Sequence, residues 1–93
     1  MSKEKKVLKE IVLSSGAIAR IYEGKGKDLF FAMSNAVAQA DIIKLLMIRL
    51  ITIDNQPITE DTLEELPLMD AMILLRDFTE IYNPLLTPKQ SSQ

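Results

Sequence analysis

The chain has 93 residues, a length that suits one small domain and leaves no room for a second. It contains neither cysteine nor histidine, which excludes disulfides, thiolate or imidazole metal sites, and serine–histidine or cysteine–histidine catalysis. The net charge of -2 argues against nucleic-acid binding, because such proteins normally present a basic surface to phosphates. A content of 47% hydrophobic but only 5% aromatic residues indicates a globular protein with a mainly aliphatic core.

Two short runs of β-branched and aliphatic residues, 7–13 and 17–23, predict an N-terminal β-hairpin. Ser14, Ser15 and Gly16 separate them, and Gly16 supplies the residue that can adopt a positive φ at the turn. Lys9 shares a side with otherwise apolar residues of the first strand, so the pattern of the buried face is imperfect.

Two helices are predicted next. After a basic link at 24–27, Asp28 lies in the first turn of a helix that should run to about Gln39. Asp41 is the expected N-cap of a second helix over 42–53, which should end before the turn-forming residues 54–57.

The last part of the domain is predicted to be helical as well. A short helical turn should end at Leu66, and Pro67 suits the first position of a closing helix. Asp70 and Asp77 are assigned to the solvated side of this helix. Its apolar stripe, expected to face the core, contains Leu68, Ala71, Met72, Leu75, Phe78 and Tyr82.

The predicted fold class is therefore α+β, a small single domain with an N-terminal β-hairpin followed by three to four α-helices. The domain should span 1–83, with its first few residues flexible, and 84–93 should form a mobile C-terminal tail. No apolar stretch approaches the length of about 20 residues that a membrane-spanning helix needs.

Candidate catalytic chemistry is weak throughout. The glycine-lysine pairs at 24–27 lack the length and the ending of a phosphate loop, and the acidic residues near 60–65 lack the spacing of a calcium loop. Asp70 and Asp77 could pair as acid and base only across a cleft, which nothing in the sequence indicates. We expect no enzyme activity and no catalytic, cofactor-binding or metal-binding residues.

The predicted second helix is apolar nearly all round, so it must be covered nearly all round. A domain of this size covers one side of it, which leaves apolar residues for another chain. The closing helix repeats the pattern, and the expected partner or oligomer interface contains Leu45, Ile48, Ile51, Met69 and Ile73. The alternative is that these are isolated exposed apolar residues, which are common in soluble proteins.

The order of features resembles the phage tail assembly chaperone family of Mu-like and related long-tailed phages and prophages. The resemblance covers about 7–80, from the hairpin "KEIVLSSGAIARIYEGKGKDL" through the helix "DIIKLLMIRLITID" and the segment "NQPITEDTLEELPLMD" to "AMILLRDF". The family's "gD-L" helix start is matched by Lys27, Asp28 and Leu29. Its "lt-edl-lpl-D" segment is matched by Ile58, Thr59, Asp61, Leu63, Leu66, Pro67, Leu68 and Asp70. Asn55 departs from the family, which often has glycine there.

The resemblance implies a non-enzymatic chaperone that binds and protects the tape-measure protein while the tail tube assembles. Such proteins act in the cytoplasm of the bacterial host and are absent from the mature virion. The expected partners are thus a tape-measure protein and further copies of this chain, with no nucleic acid, membrane, cofactor or small-molecule substrate. Two alternatives remain: a homo-oligomeric structural subunit or small interaction module of a phage particle, and a regulator that binds DNA through the closing helix.

Overall fold

The predicted hairpin forms, and it belongs to a larger antiparallel sheet. The structure is a computed structural model that describes residues 6–82; the predicted flexible start and the predicted mobile tail at 84–93 lie outside that range. The described part forms four strands in the spatial order β1-β2-β3-β4, namely β1 (Val7–Val12), β2 (Ile18–Tyr22), β3 (Ile51–Ile53) and β4 (Gln56–Pro57). Its helices are α1 (Gly26–Asn35), α2 (Gln39–Leu50), α3 (Glu60–Glu64) and α4 (Leu68–Ile81). The α+β prediction is confirmed.

The turn between β1 and β2 confirms the role assigned to glycine. Gly16 has a φ of 94°, and Leu13 donates its backbone N–H to the carbonyl of Ala17 at 2.8 Å. The pairing register shifts between Val7 and Lys9, which marks a bulge near the start of β1.

The predicted second helix is wrong at its C-terminal end. α2 stops at Leu50, and the next three residues form β3, which pairs with β2. A two-residue turn then returns the chain into β4, with φ values of 51° at Asp54 and 67° at Asn55. Positive φ at both central residues is the geometry of a type I′ hairpin, which Asn and Asp tolerate better than most residues.

The helix starts also differ in detail. α1 ends at Asn35, before the predicted Gln39, and Asp41 lies in the first turn of α2 rather than at its N-cap. The Asp41 carboxylate accepts the backbone N–H of Ala38 at 3.1 Å, so it still satisfies a free donor at the start of the helix. At α3, Thr59 and Thr62 exchange side-chain to backbone hydrogen bonds in both directions, at 3.1 and 3.2 Å.

The helices pack on one face of the sheet, and the core lies between them. This arrangement follows from the alternation of burial along β2, where Ala19 and Ile21 are fully buried and their neighbours are not. On the other face, Arg20 donates to Glu10 at 2.7 Å and to Asn55 at 2.6 Å. The buried core residues are Ile11, Leu13, Ala19, Ile21, Ala32, Leu46, Met47, Leu50, Ile51, Ile58, Leu74 and Phe78.

Candidate functional site

The closing helix α4 turns two carboxylates toward the sheet. Asp70 and Asp77 are 4% and 3% exposed, whereas the sequence placed both on the solvated side. Asp70 accepts the hydroxyl of Ser14 at 2.7 Å and the backbone N–H of the same residue at 3.1 Å. Because these bonds replace water around the carboxylate, Asp70 can lie inside the domain at little cost.

Asp77 lies two turns further along the same side of α4 and is paired with two cations. The Lys9 ammonium is 3.6 Å from one of its oxygens, and Arg76 Nε is 3.1 Å from the other. This contact explains the imperfect pattern of β1, since Lys9 points to the same side as the apolar residues in order to reach Asp77. Charged residues are found buried mainly when they are paired in this way.

Aromatic packing and phenol hydrogen bonds hold the C-terminal end of α4 to the sheet and to α1. The Tyr82 hydroxyl donates to the carbonyl of Tyr22 at 3.0 Å and accepts the backbone N–H of Gly24 at 3.1 Å. Its ring packs on Phe78, with the ring centres 5.1 Å apart. Burial raises the pKa of the Tyr82 phenol, while the bond from Gly24 acts in the opposite direction.

These anchors fix the rotation of α4 and leave an apolar stripe in solvent. The exposed fractions are 75% for Leu68, 65% for Met69, 54% for Met72 and 43% for Leu75. At 100° per residue, Met72 lies opposite the centre of the buried side of the helix. We call these four residues the outward face of α4. It is an apolar surface of the kind that marks sites of protein binding.

The sequence-based orientation of α4 is therefore wrong, and the reason is physical. Leu68, Met72 and Leu75 were assigned to the core because apolar residues usually face inward, but they face solvent. The core side of α4 instead contains Leu74 and Phe78 between the two aspartates. Serine in the hairpin turn and lysine in β1 were the signals that could have revealed partners for buried carboxylates.

The five residues predicted to form an interface have different positions. Met69 belongs to the outward face of α4. Leu45, Ile48 and Ile73 are half-buried, and the first and last of these pack against the core. Ile51 requires a correction, because it is 1% exposed in β3 and contacts no solvent that a partner could displace.

A second group of exposed apolar residues lies on α1 and in the loop that follows it. Phe30 and Met33 are exposed on α1, and Val37 is exposed between α1 and α2. The guanidinium of Arg49 lies 4.3 Å from the centre of the Phe31 ring and donates to the buried carboxylate of Asp28 at 2.7 Å. Part of this group is thus covered by the chain's own cation.

The start of α1 does not support the phosphate-loop interpretation. Asp28 Oδ2 accepts the backbone N–H of Lys25 at 2.9 Å, so a carboxylate of the chain already occupies this helix end. Gly24 is needed for close packing: a Cβ there would lie 2.8 Å from a methyl group of Leu50. A small groove of about 220 Å³ beside it has mainly apolar walls, which include Leu29, Phe78 and Tyr82.

Two other classes of site were examined across residues 6–82. No group of three or more acidic side chains in that range is arranged to hold a metal ion. None of the helices formed by these residues is long and apolar enough to cross a bilayer. The surface feature of the described residues that most needs a chemical explanation is the outward face of α4.

No family model, curated protein or solved structure matches this chain in the three comparisons made with known proteins.

Proposed function

We propose that this chain is a non-enzymatic binding protein that holds an apolar helical segment of another protein on the outward face of α4. The observation that carries the proposal is the combination of buried, partnered aspartates with exposed Leu68, Met69 and Met72 on one helix. The aspartates prevent α4 from rolling its apolar stripe into the core. The stripe is therefore a permanent feature of the folded domain.

The spacing of the outward face suits a helical partner. Leu68, Met72 and Leu75 stand at i, i+4 and i+7, which places them along one line of a helix. Methionine side chains are flexible and polarisable, so Met69 and Met72 can adapt to partner segments of different sequence. A short surface of this kind gives modest affinity for each contact, and many copies on a long partner would give a stable coat.

The resemblance to phage tail assembly chaperones supplies the identity of the partner in this proposal. A tape-measure protein is a long helical chain that must stay soluble until the tail tube forms around it. Modest affinity for each copy would allow the growing tube to displace the chaperone. The proposal places the chain in the host cytoplasm and outside the finished virion, where antibody detection on purified particles would test it.

The decisive experiment is co-expression with the tape-measure protein of the same phage or prophage genome. The tagged wild-type chain should keep that protein soluble and co-purify with it. Met72→Lys, at the centre of the outward face, should abolish both effects. Val12→Lys is the matched control, because Val12 is an exposed apolar residue on the other face of the sheet. A folded wild-type chain that leaves the tape-measure protein insoluble and unbound would refute the proposal.

A further inference from the structure

The outward face of α4 has the spacing that allows it to pack against a second copy of itself. With Thr79 it continues as i, i+4, i+7 and i+11, the alternation of three and four that forms the seam between two paired helices. We propose that, in the absence of another partner, two copies of this chain pair through the outward faces of their α4 helices. The helices run antiparallel about a twofold axis that passes between Met72 and Leu75.

The charges at the two ends of the seam favour the antiparallel direction. The guanidinium of Arg76 is 62% exposed toward the C-terminal end of α4, while exposed Glu65 precedes its N-terminal end by three residues. An antiparallel pair brings Arg76 of each copy toward Glu65 of the other. A parallel pair would place Arg76 beside Arg76 and Glu80 beside Glu80, which like-charge repulsion disfavours.

The size of the surface sets the strength of the pairing. Stable interfaces bury about 800 Å² on each partner, and the four side chains of the outward face are fewer than the 20–30 residues per side that such an area involves. The pair is therefore a weak, concentration-dependent dimer. Exchange of the second copy for a helix of the tape-measure protein rests on the proposed function, but the pairing itself does not.

Sedimentation equilibrium of the purified full chain, from micromolar to millimolar concentration, tests the pairing. The wild type should change from its monomer mass of 10.5 kDa toward twice that mass. Met72→Lys should raise the dimer dissociation constant at least about tenfold, because it places a charge at the centre of an apolar contact. Val12→Lys should leave that constant unchanged. A wild type that is monomeric at every concentration, or a Met72→Lys variant that still dimerises normally, overturns the proposal.

Disulfide trapping tests the direction, and the chain has no cysteine of its own to interfere. In the antiparallel pair, position 68 lies opposite position 79 of the other copy. A mixture of Leu68→Cys and Thr79→Cys chains should therefore form a mixed disulfide under mild oxidation, whereas Leu68→Cys alone should not cross-link. Rapid cross-linking of Leu68→Cys to itself would overturn the antiparallel arrangement. A chain that never pairs yet binds the tape-measure protein refutes this inference and leaves the proposed function intact.

Discussion

Ser14 donates both its hydroxyl and its backbone N–H to the carboxylate of Asp70, across 56 positions of sequence. The contact joins the turn of the first hairpin to the first turn of α4. It also completes the solvation of a carboxylate that is almost entirely buried. The position of α4 on the sheet therefore depends on a polar contact as well as on apolar packing.

Replacing Asp70 should destabilise the domain. Asp70→Ala removes the acceptor for both donors of Ser14, and we expect a loss of about 2–3 kcal/mol in the free energy of unfolding. Urea denaturation followed by circular dichroism measures this loss. Asp70→Asn is the control and should cost less, because the amide oxygen can still accept one of the two bonds. Equal stability of Asp70→Ala and wild type would show that the contact does not hold α4.

The two cations around Asp77 should compensate for each other. Lys9→Met and Arg76→Met should each cost about 0.5–1 kcal/mol, since both side chains are partly exposed and the other cation remains. The double variant leaves a buried carboxylate without a cation and should cost about 3 kcal/mol, more than the two single losses together. Adding Asp77→Leu to the double variant should restore much of the stability. Additive losses in denaturation would contradict this account.

The second hairpin was missed in the sequence because the apolar run continues through it. Residues 42–53 look like one helix, and only three of them form β3. The signal was Asp54-Asn55, a pair that tolerates the positive φ of a type I′ turn, after the β-branched Ile51, Thr52 and Ile53. By contrast, the glycine turn of the first hairpin and the acidic first turn of α1 depend on local chemistry, and both were predicted correctly.

Asn55 should tolerate glycine but not a β-branched residue. Asn55→Gly relieves the positive φ of 67° and loses one exposed hydrogen bond from Arg20, so the free energy of unfolding should change by less than about 0.5 kcal/mol. Asn55→Val should cost about 1–2 kcal/mol, because left-handed backbone is strained for a residue with a branched Cβ. Thermal unfolding of the two variants measures the difference, and a stable Asn55→Val would refute the turn geometry.

Tyr82 should make the domain sensitive to alkali. Burial raises the pKa of its phenol above the ordinary value near 10, so the folded state retains the proton more strongly than the unfolded chain. This contribution is fully present below pH of about 10 and is lost as the pH rises through the raised pKa. Tyr82→Phe should lower the free energy of unfolding by about 1 kcal/mol at neutral pH. The difference between variant and wild type should shrink above pH of about 10, and a constant difference would contradict the assignment.

The rotation of α4 could not be read from periodicity, because its exposed and buried sides are both rich in apolar residues. Apolar periodicity favoured Leu68, Met72 and Leu75 as core, and it offered no reason to bury an aspartate. The decisive partners, Ser14 and Lys9, lie more than 50 positions earlier in the chain. Pairings of that kind depend on the tertiary fold, which local sequence patterns do not contain.

The last prediction separates the two orientations of α4 directly. If the periodicity were right, replacing Leu68, Met72 and Leu75 together by Gln would unfold the domain; in the structure all three side chains face solvent. We therefore expect the triple variant to keep the wild-type free energy of unfolding within about 1 kcal/mol, as surface substitutions usually do. Leu74→Ala, one position from Leu75 and fully buried, is the control and should cost about 2–5 kcal/mol. Denaturation at low protein concentration avoids any contribution from self-association. Severe destabilisation of the triple variant would mean that the outward face belongs to the core, and the binding surface proposed for it would be lost.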